Sequence, residues 1–492
     1  MPILIVVNDP KQWPFQIPNV DVIDARSYLT RPEYSEMREV KLFNLCRSYR
    51  YQSSGYYVSL LAEARGHKPI PSVTTIQDLK SQSIVRLVSE DLDELIQSSL
   101  SHIQSEKFTL SIYFGCNLAR RYERLSLHLF NLFQSPMLRA EFVREKRDKT
   151  WSLRSATAIS ASEVPESHWP FVVQVATEHF SGRHSRVRRR ARMRYDLAIL
   201  ANPEDTEPPS DEKALHRFAK AAEGMGLATE FIDRDDYARL AEFDALFIRE
   251  TTYVNHHTYR FSRRAASEGL VVIDDPESIV KCTNKVYLAE LLAHHGVLVP
   301  KTLVVHKDNI DQIPAELGLP CVLKKPDSAF SLGVTKLETE EQLETRLKEM
   351  LEDSDLVVAQ EFLPTTFDWR IGIVDRQPLY ACKYYMAPNH WQIVHRDGQG
   401  HRHYGKWETL PVEVAPARAV RAALRAANLI GNGLYGVDVK QSGDQFYVIE
   451  VNDNPNIESA VEDAVLKQEL YRRVMSVFLR RIEQRKAGYA FA

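Results

Sequence analysis

The sequence predicts an α/β and α+β multidomain protein, and three observations carry that reading. Short apolar runs alternate with amphipathic helical stretches from Tyr195 to Asp274, the rhythm of a small parallel sheet covered by helices. Further on, apolar strands end in polar or charged side chains, as at Lys324 and Gln360. The chain has 492 residues, 44% of them hydrophobic and 26% charged, which gives room for about three domains with cores of their own.

Composition excludes several classes. A net charge of −3 creates no global field for nucleic acid or a membrane surface. There is no apolar run of bilayer-spanning length, and Met1–Asn8 reads as a first strand rather than a signal peptide. The five cysteines, Cys46, Cys116, Cys282, Cys321 and Cys382, are scattered and never form a CxxC pair. That pattern fits a reducing compartment, so a cytoplasmic protein without a disulfide framework or structural zinc site is expected.

Residues 1–182 read as an N-terminal α/β or α+β region. After the first strand come helical stretches at Gly55–Ala64 and Arg120–Gln134, a strand at Phe108–Phe114 and an extended run at Trp151–Ser160. Tyr49, Tyr51, Tyr56 and Tyr57 cluster with Arg47 and Arg50; this composition fits a ligand groove or the packed start of a helix. Residues 183–194 form a basic run that fits a solvated linker or a nucleic-acid contact.

The region 195–274 opens with the buried strand Leu197–Leu200. An amphipathic helix follows from Asp211 to Met225, stopped by Gly226, and then short strands at Thr229–Ile232, Ala245–Ile248 and Leu270–Ile273. No GxGxxG turn follows the first strand, so a dinucleotide fingerprint is absent. The tail from Ala464 to Lys486 reads as an amphipathic helix that packs on a core.

The region from 275 onward carries the chemistry. Lys285 opens a helix that runs to His294. Pro320–Lys324 is a strand, followed by a small-residue loop containing Ser331; such loops let backbone N–H groups approach phosphate oxygens, and a lysine at the strand end adds a point charge. Val357–Leu363 is an apolar strand ending in Gln360, Glu361 and Phe362, whose backbone can meet an adenine edge. Asp368 can take a ribose hydroxyl, and Arg370 faces the same way two residues later.

Two runs near the C-terminus, Gly436–Lys440 and Phe446–Val451, are separated by Ser442-Gly443-Asp444 and should pair as a hairpin. Alternation puts Glu450 and Asn452 on one face, where Asp438 can meet them. Three hard oxygen donors at one point suit Mg²⁺, with Mn²⁺ as a substitute. The plainer reading is a buried Asp and Glu satisfied by hydrogen bonds.

In order and spacing these segments resemble the ATP-grasp enzymes, and within them the RimK-type amino-acid ligases, from about Tyr195 to Leu466. The resemblance implies an ATP-grasp fold in 275–492, a pre-ATP-grasp domain in 195–274, and the extra N-terminal domain fused to some RimK-like proteins in 1–182. It implies that Lys285 and Lys324, rather than Lys325, hold ATP phosphates, that Glu361 and Phe362 form the adenine hinge with Gln360 beside it, and that Asp368 meets the ribose. Asp438, Glu450 and Asn452 match the magnesium ligands. Arg370 and Lys383 fall near the transferred phosphate, and Arg249 and Asn454 on the substrate side. The activity implied is ATP-dependent amide-bond formation through an acyl phosphate, with glutamate or another amino acid added to an amino-acid, peptide or protein acceptor. A small-molecule kinase and a non-catalytic ATP-binding regulator are the alternatives. Partners are then small amino acids or peptides, not membranes or nucleic acid, and a homo-oligomer is compatible with the sequence. The chain departs from the family at Ala329-Phe330-Ser331-Leu332, where glycines are common. It also departs at His390–His395 in place of a basic-Ser-Asn tract, and at Asp453-Asn454 in place of small residues.

Overall fold

The computed structural model describes residues 3–15, 17, 20–37, 40–144, 150–181, 193–205, 207–327, 333–396 and 402–490. Most of the basic run 183–194 lies outside them, as does Ser331. The chain forms two compact units, Met1–Arg192 with Asp235–Glu242, and Met193–Arg234 with Phe243–Ala492.

The first unit contains two sheets. β1 (Ile3–Val7), β2 (Asp21–Asp24), β3 (Lys41–Asn44) and β4 (Lys68–Ile70) are parallel, in the order β2-β1-β3-β4. Strand alternation divides their apolar side chains. Leu4, Val6 and Leu42 pack under Tyr28, Val58 and Ala62, whereas Ile5, Val7 and Phe43 pack on Val172, Ala176 and Phe180 of the helix Trp169–Ser181. β5 (Lys107–Tyr113), β6 (Met137–Arg144) and β7 (Trp151–Ala158) form an antiparallel sheet. The helix expected at Gly55–Ala64 runs Ser54–Ala64. The one expected at Arg120–Gln134 starts as a tight turn at Arg120–Tyr122 and continues as Glu123–Leu132.

The second unit begins with four parallel strands, β8 (Tyr195–Leu200), β9 (Leu227–Ile232), β10 (Ala245–Ile248) and β11 (Val271–Ile273), ordered β11-β10-β8-β9. The helix Glu212–Glu223 covers them, capped where the Asp211 carboxylate accepts from Ala214 N–H at 2.9 Å. The C-terminal helix spans Gln468–Ala490. It starts later than the sequence suggests, because Lys467 takes a left-handed φ of 49° that ends the preceding turns. Its Leu470, Tyr471, Val474 and Phe478 share one core with Phe218 and Phe247, and also with Val374, Leu379 and Leu434. The hydrophobic core therefore crosses residue 274.

β12 (Thr302–Val305), β13 (Cys321–Lys324), β14 (Val334–Leu337) and β15 (Val357–Glu361) form an antiparallel sheet ordered β12-β15-β13-β14. Leu323, Leu337 and Ala359 on one face are buried by Leu343, Leu347 and Met350 of the helix Glu340–Asp353. β16 (Phe367–Val374) and β17 (Gln377–Tyr385) follow, then a small ladder of β18 (Val394–Arg396) and β19 (Arg402–Tyr404), then β20 (Trp407–Leu410), β21 (Leu434–Ser442) and β22 (Gln445–Asp453). The larger sheet has the order β20-β17-β16-β21-β22. Trp369, Ile371, Val437, Val439, Val448 and Val451 pack on Ala419, Ala423 and Ala427 of the helix Ala417–Ile430. The expected hairpin forms, with Asp438 opposite Glu450 and Gly436 opposite Asn452. Among the described residues no helix is long and apolar enough to cross a membrane.

Candidate functional site

The helix Lys285–His294, the β12–β15 sheet and strand β22 enclose a cleft of about 400 Å³, its open mouth included. Lys285, Thr302, Lys324, Val358, Gln360 and Glu450 are among its lining residues. Local structure fixes each polar group. Asn284 caps the helix by accepting from Tyr287 N–H at 2.9 Å, and its side-chain amide donates to Asp327 Oδ1 at 2.8 Å. Lys285 N–H donates to Pro326 O at 2.9 Å. The helix start is thereby tied to the exit of β13, and the Lys285 ammonium comes within 3.3 Å of Glu450 Oε1.

Lys324 and Lys325 part company as alternation requires. Lys324 is buried, and its ammonium donates to Gln360 Oε1 at 2.8 Å; the Gln360 amide in turn donates to Thr302 Oγ1 at 2.9 Å. Lys325 points to the surface and pairs with Asp353 at 2.8 Å. Burial, with the like charges of Lys285 and Lys440, pushes the Lys324 ammonium down to about 8, against the pull of Glu450. Burial would raise the Glu450 carboxyl, but Lys285 and Lys324 hold it below the ordinary range.

Behind this group, Arg370 grips Asp438 with two parallel bonds of 2.7 and 2.8 Å, the planar fork geometry that arginine favours. The Asn452 amide lies 3.3 Å from Asp438 Oδ2. Asp368, on the same face as Arg370, accepts from Lys440 and Thr365 at 2.7 and 2.8 Å. Lys440 escaped the sequence reading, although it stands two residues beyond Asp438 on one strand and so shares its face. Thr302 was missed as well, since nothing in a lone threonine signals its bond to Gln360.

Two carboxylates and an amide oxygen meet here. Each carboxylate is balanced by a cation of the chain itself, Lys285 on Glu450 and Arg370 on Asp438. Among the described residues no three His, Cys, Asp or Glu side chains converge. A mixed set of two carboxylates and an amide suits a hard divalent ion that keeps water and phosphate oxygens in its remaining positions, so these residues fit Mg²⁺.

Other expected residues sit differently. Lys383 lies opposite Trp369 in the β16–β17 register, whereas Cys382 lies opposite Arg370. Directly opposed residues share a face, so Lys383 points to the side away from Arg370 and Asp438. There it pairs with Glu408 at 3.1 Å and lies over the Phe367 and Trp369 rings. The structure does not bring it to the cluster. Glu361 lies opposite Cys321, which belongs to the helix-covered face; its carboxylate accepts from Lys301 N–H at 2.8 Å. Only the Glu361 main chain is offered to a hinge. Phe362 lies beneath Lys336, 4.6 Å from ammonium to ring centre, and edge-on to Trp391.

Arg249 and Asn454 do meet, at 2.6 Å, but as a buried clamp. Arg249 also donates to Pro209 O, Ser210 Oγ and Pro455 O, and Phe247 and Phe218 flank it. The amide of Asn454 donates to Glu250 O. Beside this clamp, burial raises Asp453 to about 7 even though Thr252 donates to it at 2.6 Å. Asp274 is fully buried with both carboxyl oxygens unpartnered, and burial holds it well above the carboxylate range. This pair of acids was not foreseen. His256 and His257 are loop residues; His257 bonds Glu250 at 2.7 Å and His256 stacks on Tyr253.

Comparison with known proteins agrees with this geometry. Residues 25–175 match the RimK-like ATPgrasp N-terminal domain, and residues 282–470 the RimK-like ATP-grasp domain. A protein of Thioalkalivibrio sulfidiphilus named probable alpha-L-glutamate ligase is 26% identical over 224 residues, 44% of this chain and 71% of the relative. One of the same name from Vibrio vulnificus is 26% identical over 234 residues, 46% of this chain and 74% of the relative. A solved RimK domain ATP-grasp protein from Sphaerobacter thermophilus superposes with a TM-score of 0.44 at 18% identity, covering 57% of this chain and 98% of its own.

Proposed function

The chain belongs to the RimK-like ATP-grasp proteins, a family of ATP-dependent carboxylate-amine ligases, and we propose that it joins an amino acid, glutamate before others, to the amine of an amino-acid, peptide or protein acceptor. The observation that carries this reading is the Lys285–Glu450 pair at 3.3 Å, facing the same cleft as the buried Lys324. The relatives named probable alpha-L-glutamate ligase support the choice of acid.

In this reading Lys285 and Lys324 release their protein partners and take phosphate oxygens of the substrate ATP. The backbone at Gln360, Glu361 and Phe362 meets the adenine, and Asp368 meets the ribose. Asp438, Glu450 and Asn452 would hold Mg²⁺, which supplies charge neutralisation across the phosphates. Arg370 stays clamped to Asp438 and adds positive charge where the terminal phosphoryl leaves. Phosphoryl transfer asks mostly for positioning and neutralised charge. The substrate carboxylate takes the phosphoryl group to become an acyl phosphate, and the acceptor amine then displaces phosphate. Thiol nucleophiles are not needed, and burial pushes Cys46 and Cys382 up to about 12. Five free cysteines also fit a cytoplasmic setting.

The test is a screen of acid and amine pairs for ADP and phosphate release, with mass spectrometry of the products. Release that requires both partners, with an amide product, is expected. A stable phosphorylated product formed without any amine would replace the ligase by a kinase.

A further inference from the structure

The first unit holds a crevice that the ligase chemistry does not use. In its parallel sheet the chain leaves β1 for β2 on one side and reaches β3 on the other. Open α/β sheets bind ligands at such a reversal, outside the carboxyl ends of the strands. The loops that follow β1 and β3 meet there: Arg47 N–H donates to Asn8 Oδ1 at 2.6 Å, and the Arg47 guanidinium donates to Gln12.

The loop after β3 is held firmly. Tyr49 hydroxyl donates to Asn44 O at 2.6 Å, Ser53 hydroxyl to Ser48 O at 2.8 Å, and Lys80 to Tyr49 O at 2.7 Å. A side chain at Gly55 would place its Cβ 2.4 Å from Ser48 O, so the loop lies directly on the helix start. From this frame Arg47 and Arg50 project into solvent, and neither has a carboxylate partner among the described residues. The nearest loop acid, Asp9, is occupied in capping, accepting from Lys11 N–H at 3.0 Å. Tyr51 is 69% exposed and Tyr57 38%, and Tyr56 links them with ring separations of 5.2 and 5.7 Å.

We propose that this crevice is a docking site for an acidic peptide segment, its carboxylates taken by Arg47 and Arg50 and its stems laid along the Tyr51–Tyr56–Tyr57 rings. Two unpaired guanidinium groups on a rigid loop are complementary to closely spaced carboxylates. Tyrosines add contact area at low entropic cost together with a hydroxyl donor. The choice of a glutamate-rich peptide rests on the ligase reading above; the basic and aromatic surface does not.

The test is fluorescence anisotropy of labelled pentaglutamate with the full-length protein in the absence of ATP. Saturable binding weakened by salt is expected. Arg50→Glu should weaken it by about tenfold or more, and Tyr51→Ala should weaken it less. ADP release with free glutamate and a small amine should stay within about twofold in both variants, which also reports that they fold. Equal binding by wild type and Arg50→Glu, or no preference over pentaserine, would overturn the site. So would tighter binding of a short single-stranded oligonucleotide that is lost in the same variant. If pentaglutamate binds through Arg50 but no acid and amine pair is ever ligated, the ligase reading fails and the docking site stands.

Discussion

Two charged regions of the second unit draw on the same residue types and end in opposite states. Around the cleft, the Lys285 and Lys324 ammonium groups pair with side chains of the chain, Glu450 and Gln360, and both face open volume. At the clamp, Arg249 spreads its donors over Asn454, Ser210, Pro209 and Pro455 and is 1% exposed. A charge with one exchangeable partner is ready for a ligand, whereas a charge whose donors are all satisfied inside the protein is part of the framework. Residue type and strand position do not separate the two cases; the number and nature of partners does.

The sharpest way to break the comparison is to remove one charge from each region. Glu450→Gln should lower turnover by about a hundredfold or more while the thermal midpoint holds, because a buried carboxylate gives way to an isosteric amide. Turnover near wild type would remove Glu450 from the site. Arg249→Met should do the reverse and lower unfolding stability by about 3–5 kcal/mol, read from urea melts, since several acceptors lose their donor. A stable Arg249→Met protein with impaired substrate affinity would return Arg249 to the substrate side.

Smaller effects sharpen the boundary. Lys324→Ala should raise KM for ATP by roughly thirtyfold, about 2 kcal/mol of a charged hydrogen bond, and Lys325→Ala should leave it within about twofold. Because the Lys324 ammonium titrates near 8, it is charged below that pH and neutral above it. Wild-type KM for ATP should therefore climb as pH passes from 8 to about 10, and Lys324→Arg should flatten the climb. The smallest effect belongs to Lys383→Ala, with turnover within about twofold, since only an exposed pair with Glu408 is lost. Collapse of turnover in that variant would mean that the β16–β17 register does not decide which lysine serves the phosphate.

Those registers also mark what the sequence could and could not disclose. The hairpin was legible because Ser442-Gly443-Asp444 interrupts two apolar runs and Gly443 takes the left-handed φ of 57° that such a turn requires. Its bulge was not. Pairing shifts by one residue at Ile449, so that Val448 and Val451 both face the core while Glu450 faces the cleft. A run such as Phe446–Val451, apolar at nearly every position, hides a shift of that kind. The lysines tell the same story. Lys324 and Lys325 could be separated by alternation along one strand, but the face of Lys383 depends on its partner across the sheet, which no local pattern encodes. The topology of the first unit was likewise beyond reach, because its parallel strands are joined by crossovers whose order only tertiary packing sets.

The core shared by β8–β11 and the helix Gln468–Ala490 has a consequence for how the chain is made. Ile273 closes the parallel sheet about 200 residues before that helix, a wait of roughly 10–40 s at ordinary elongation rates. Throughout that interval Phe247 and Phe218 lack Phe478 and Tyr471, the rings they meet edge-on in the finished protein. On the ribosome the sheet is thus an uncovered, sticky surface, a natural client for a nascent-chain chaperone, and it is sealed only after the whole cleft has been synthesised.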